Sequence, residues 1–183
     1  TSSPLWTLLL AGSYKLFGVK DWIPGFWATL FALATIFSTD SLCRFFGVRL
    51  FWRLIVCISV VYFTPLVPVV STGMEHAMHM YFMVAFLERT LRFKRVPEHR
   101  TLLPMCIVGL FAVATRYESL FLISPIVIWL TCAKMWRSAI MLLISSFLPV
   151  VAYGSFSMSN GSFFLPNSLM LKGHFSSLDS IES

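Results

Sequence analysis

Charge is scarce in this chain. Its 183 residues include 14 Lys and Arg and only 8 Asp and Glu, so that 12% of the sequence is charged. A soluble domain of this length carries roughly twice that share, and a water-soluble globule is therefore excluded. No CxxC pair joins the four cysteines, Cys43, Cys57, Cys106 and Cys132, which lie within or at the ends of apolar segments. That sets aside zinc ribbons and dithiol redox motifs, and the thiols read as soft packing groups. No basic segment leads into a short apolar core and a cleavage site, so nothing reads as a signal peptide. Repeats and low-complexity tracts are missing too. The chain opens without Met on the polar "TSSP", and it reads as a piece of a longer protein.

Apolar residues are what the chain has: 57% of the sequence, with a mean hydropathy of +0.80. The pattern predicts an all-α, polytopic membrane protein over 1–156, with a truncated outer-face loop over 157–183. Within it, 1–22 forms an interfacial segment. The stretch from Pro4 to Val19 falls short of the roughly 20 residues a spanning helix needs. A helix lying in the headgroup region, anchored by Trp6 and Tyr14, fits it better than the tail of a spanning helix. About six spans then follow: Pro24–Cys43, Leu50–Val70, Gly73–Leu91, Leu102–Thr115, Ser119–Ala133 and Ala139–Phe156. The prolines at 65, 68, 125 and 149 are tolerable there if neighbours satisfy the freed carbonyls.

Basic residues orient the chain, because they collect in cytoplasmic connections. Arg44, Arg49, Arg53, Arg89, Arg92, Lys94, Arg95, Arg100, Lys134 and Arg137 fall on one side, ten of the 14. Lys15, Lys20, Arg116 and Lys172 fall on the other. This distribution accounts for the net charge of +6 without nucleic acid. Asp40 pairs with Arg44 one helical turn on, and "ERTLRFKRVPEHR" reads as a solvated, lipid-anchoring loop.

The sparse side raises the functional question. Glu75, His76 and His79 open one helix in "STGMEHAMHM"; Arg116 and Glu118 flank a turn; Lys172 and His174 lie in the last loop. An acidic group at a helix start is favoured by the helix dipole, so Glu75 has a simple reading as a cap. Ionisable groups at membrane depth more often face a cavity or a partner, and Glu75 and His79, four apart, share a face. "EHAMH" departs from the HExxH zinc motif in spacing and order, which makes it a weak metal signal. Arg116 has two readings of equal weight. One is a phosphate pocket shared with Lys172, and the other a salt bridge to Glu118 or Glu75. The aromatics Trp6, Trp22, Trp27, Tyr117 and Tyr153 read as an interfacial belt before a sugar-stacking surface.

"TSSPLWTLLL", "STGME", "ATRYESLFL" and "LPNSLMLKG", in that order on the sparse side, resemble landmarks of GT-C membrane glycosyltransferases. The bacterial branch containing terminal arabinofuranosyltransferases is the nearest, and protein mannosyltransferases are more distant. The resemblance covers Thr1 to about Lys172. It implies part of a GT-C fold in the bacterial cytoplasmic membrane, transferring sugar from a polyprenyl-phosphate donor to a glycan or lipid acceptor on the outer face. It also implies a carboxylate base on a loop ahead of Thr1, so that this piece is inactive alone. Glu75 then stands at a Gly-Met-Glu motif, Arg116 and Glu118 at an Arg-Pro-acid pattern in which Tyr117 replaces proline, and Asn167 and Lys172 at a Pro-Asn-Ser…Lys pattern. These five are the expected substrate-binding residues, with Lys172 a phosphate contact. No metal ligand is assigned, though a divalent ion on the donor phosphate is compatible with the chemistry. A transporter or flippase, and a non-catalytic membrane subunit, are the alternatives. Transport fits less well, because the charges cluster at one face and not at mid-depth.

Overall fold

The computed structural model describes residues 3–159 and Gly161, and among them helix is the one kind of regular secondary structure. Pro4, at the first turn where no N–H is needed, opens α1 (Pro4–Phe17), which stops at Gly18 with φ +74. The longest contacts between helices belong to α2 (Trp22–Phe45) and α5 (His76–Arg95). On α2 the buried positions Ala28, Ala32, Thr35, Thr39 and Cys43 recur every three or four residues, forming a stripe of small side chains. Small side chains let two helix backbones approach closely. The hydroxyls of Thr35 and Thr39 donate to the carbonyls of Phe31 and Thr35, at 2.8 and 2.9 Å, which satisfies their polarity inside the helix.

The expected single span Leu50–Val70 is broken. Pro65 has no N–H to continue the helical ladder, so the chain forms α3 (Leu50–Phe63) and a short α4 (Leu66–Ser71). Gly73 then turns the chain into α5 with φ +60, and a Cβ there would lie 2.9 Å from Cβ of Pro24. Only glycine both adopts that conformation without strain and lets this turn seat on the start of α2.

The remaining helices are α6 (His99–Thr115), α7 (Leu120–Cys132) and α8 (Trp136–Ser159). "RYE" is a tight connection, as expected: Arg116 is extended and Tyr117–Ser119 make one 3-10 turn. Helix α8 runs three residues past the expected Phe156, and residues 162–183 lie outside the described part. Gly109 on α6 marks a close crossing, where an added Cβ would meet Phe86 of α5 at 3.1 Å and Leu142 of α8 at 3.4 Å.

Two apolar clusters result, and α5 contributes to both. Trp6, Ala28, Ala32, Leu66, Ala77 and Met78 form one. Phe86, Phe93, Leu102, Met105, Val113, Leu130 and Leu142 belong to the other. Trp6 is thus a core residue and not part of an outward belt. Two helices, α2 and α8, are long and apolar enough to cross a membrane. Helices α3, α6 and α7 are apolar but shorter, and α5 carries Glu88, Arg89, Arg92, Lys94 and Arg95 in its last turns.

Candidate functional site

The helices alternate so that charged groups gather at two ends. Gly73 sits beside Pro24, and Ser41 Oγ donates to Glu88 Oε1 at 2.7 Å, so α2 and α5 run parallel. Helix α6 runs back, bringing Arg116 beside His76 at the start of α5. The two ends therefore collect Glu75, His76, His79, Arg116 and Glu118 on one side, and Asp40, Arg44, Arg53, Glu88 and Arg92 on the other.

Arg116 organises the first end. Its Nε and Nη2 donate to Glu118 at 3.3 and 3.0 Å, and its Nη1 lies 3.7 Å from Glu75 Oε1. The side chains of Glu75 and Arg116 are 17% and 19% exposed, so the pair is largely covered, while Glu118 at 40% is more open. The hydrogen bond from Arg116 to Glu118 holds the guanidinium pKa above its ordinary value, against the opposing effect of burial. Burial pushes Tyr117 up to about 12, so its phenol keeps its proton at any physiological pH.

The two histidines are held in different ways. Arg116 Nη1 lies 3.0 Å from His76 Nδ1, and because guanidinium only donates, Nδ1 must accept and the ring proton sits on Nε2. Ser119 Oγ donates to Ala112 O at 2.8 Å and lies 3.5 Å from His79 Nδ1. That hydroxyl proton is already used, so His79 makes this contact only by donating from Nδ1. Among the described residues no group of three or more His, Cys, Asp or Glu side chains is disposed to hold a metal ion.

Both salt bridges that the sequence offered as rivals to a phosphate pocket are present together. The fork that would meet a phosphate is filled by Glu118, and each charge at this cluster has a counterpart. The contact to His76, 40 positions away, was not foreseen; the only sequence signal for it is that both residues border the same predicted surface. Asn167 and Lys172 lie outside the described residues. Trp27, one of the five aromatics, donates from Nε1 to Ser13 Oγ at 2.9 Å, tying α2 to α1.

The opposite end is a different construction. Asp40 receives Nε and Nη2 of both Arg44 and Arg53, at 2.5 to 2.8 Å, so the expected pair within α2 is extended to α3. Glu88, its side chain 7% exposed, accepts from Arg92 at 2.7 Å and from Ser41, tying α5 to α2.

No protein-family model matches this chain, and no curated protein or solved structure is significantly similar to it.

Proposed function

We propose that the chain is the multi-pass membrane part of a glycosyltransferase that takes sugar from a polyprenyl-phosphate donor, and that its substrates meet at the Glu75–Arg116–Glu118 cluster. The membrane reading draws support from the outer faces of the helices. Phe37, Phe51, Trp52, Tyr62, Phe63, Phe121, Ile128, Ile144 and Phe156 are among the large apolar residues left exposed. Such a surface is unfavourable in water and unremarkable in lipid. In this reading α3 to α7 cross alongside α2 and α8, the shorter ones being completed by their flanking turns, and the basic end faces the cytoplasm.

One observation carries the catalytic reading: Glu75, Arg116 and Glu118, from separate landmark stretches, converge at the charge-poor end. Carboxylates held half-buried by a shared arginine are preorganised acceptors for sugar hydroxyls. Arg116 is then a positioning residue that fixes both carboxylates, and the donor phosphate falls to other cations, with Lys172 the candidate. In the transfer itself the acceptor hydroxyl loses its proton to a general base, and its oxygen bonds to the anomeric carbon. The carbon–oxygen bond to phosphate breaks, and polyprenyl phosphate leaves with the electron pair. None of the described residues is assigned the base.

A second reading is favoured by the completeness of the Arg116 contacts, which suit a clamp on helix ends in a non-catalytic subunit. Sugar transfer from polyprenyl-phosphate sugars, measured in membranes containing the full-length protein, separates the two. The enzyme reading expects Glu75→Gln to abolish transfer while protein level and melting temperature stay normal. Unchanged transfer, or loss of folding in step with loss of transfer, favours the clamp.

A further inference from the structure

The last turn of α5 carries three cations within four residues: Arg92, Lys94 and Arg95, all exposed. Their surroundings differ from a plain solvated charge run. The Arg95 guanidinium lies 5.6 Å over the ring of Phe45, at the end of α2, and the Lys94 ammonium lies 5.9 Å from the ring centre of Trp129 on α7. Aromatic faces attract cations without neutralising them, so each side chain has a ring as its neighbour. Neither has a carboxylate within ion-pairing distance among the described residues, whereas Arg92 is shared with Glu88.

Two adjoining open grooves run between these groups. Phe45, Leu91, Lys94 and Arg95 line one of about 330 Å³; Phe45, Arg92, Arg95, Val96 and Thr101 line the other, of about 280 Å³. Each groove therefore has apolar walls and a cationic rim. That combination suits an amphiphile whose anionic head sits on the arginines while its chain leaves along the apolar wall. A free inorganic anion would use only the rim.

We propose that the junction of α2 and α5 at the basic end binds the phosphate head of an anionic membrane phospholipid, with Arg95 and Lys94 as its principal contacts. Basic pockets between helices at a cytoplasmic surface have the chemistry for such headgroups. Arg95 supplies a planar fork for two phosphate oxygens and Lys94 a point charge. The proposal rests on the membrane reading above, but not on the glycosyltransferase reading, because the site lies at the opposite end from Glu75.

The test is lipid retention by the full chain in nanodiscs of equal phosphatidylcholine and phosphatidylglycerol, read by native mass spectrometry after transfer to detergent. Wild type should retain phosphatidylglycerol over phosphatidylcholine. Retention should fall about fivefold for each of Lys94→Gln and Arg95→Gln, and should stay unchanged in Arg137→Gln, a basic residue at the same end but off the grooves. Arg95→Lys keeps the charge and loses the fork, so it should fall between wild type and Arg95→Gln. Added inorganic phosphate should leave bound phosphatidylglycerol in place; displacement by phosphate would assign the site to a free anion and overturn the lipid assignment. Equal losses in Arg95→Gln and Arg137→Gln would show a diffuse positive surface and remove the site. A chain that enters nanodiscs but retains no anionic lipid refutes this proposal alone. A chain that stays out of nanodiscs refutes the membrane reading with it.

Discussion

At one end of the bundle a single carboxylate, Asp40, is shared by two arginines; at the other a single arginine, Arg116, is shared by two carboxylates. Helix α5 joins the two ends, with Glu75 and Glu88 about 20 Å apart along its axis. The side-chain chemistry is the same at both places, and the proportions are reversed. Where arginines outnumber carboxylates, Asp40 accepts on both oxygens and Glu88 on Oε1, and further cations lie exposed at Lys94 and Arg95. Where carboxylates outnumber the arginine, Glu118 takes the Nε–Nη2 edge of the guanidinium and Glu75 stands farther off, 3.7 Å from Nη1. The first arrangement ties α2 to α3 and α5 and presents cations to a surface. The second ties the start of α5 to the turn after α6, and is the arrangement proposed to meet substrate. An ion pair is thus read by its stoichiometry and burial, and not by its presence alone.

The largest expected effect breaks the carboxylate-rich end. Arg116→Gln releases Glu75, Glu118 and His76 together, and sugar transfer should drop by at least about 100-fold, the scale of losing a preorganised electrostatic group. Donor titrations would check that the loss lies in turnover. Gly109→Leu acts between the ends, forcing a side chain against Phe86 and Leu142. Overpacking of that kind costs about 2 kcal/mol, read as a lower unfolding midpoint in detergent, and it should weaken both ends alike. Glu88→Gln is confined to the basic end. It turns a charge-assisted bond to Arg92 into a neutral one at a nearly buried position, at a cost of about 1–2 kcal/mol, and leaves sugar transfer intact. The smallest effect separates the two arginines of Asp40. Arg53 is 17% exposed and bridges two helices, whereas Arg44 is 66% exposed and lies one turn away on the same helix. Melting temperatures should show Arg53→Gln as the damaging change and Arg44→Gln as close to silent.

Interactions within one helix were legible in the sequence. Asp40 and Arg44 are four apart, and periodicity alone puts them in contact. Arg53 was not legible as their partner, because its position depends on how α2 and α3 fold back across Gly47. The helical class followed from hydropathy, and so did the approximate bounds of α2, α6 and α8. The break at Pro65 did not, since a membrane helix tolerates proline and nothing local says when it will stop. At the candidate site, Glu75, Arg116 and Glu118 were identified from residue type and predicted surface, but their bridges stood as alternatives to one another. They coexist because Tyr117–Ser119 turn tightly enough to hold Glu118 against one edge of the guanidinium while α5 presents Glu75 to another. The neutral contact from Arg116 to His76 has no sequence signature, because it requires the packing of α6 on α5.

The account stands on the two ends facing opposite sides of a membrane. Cysteine labelling in intact cells tests this most directly, in a version of the full-length protein with its native cysteines replaced. Met74→Cys, at an exposed position beside Glu75, should react with a membrane-impermeant maleimide added outside. Arg137→Cys, exposed at the basic end, should react only after the cells are permeabilised. Labelling of both from the same side would contradict the account, and the Arg116 cluster and the lipid groove would then share one compartment.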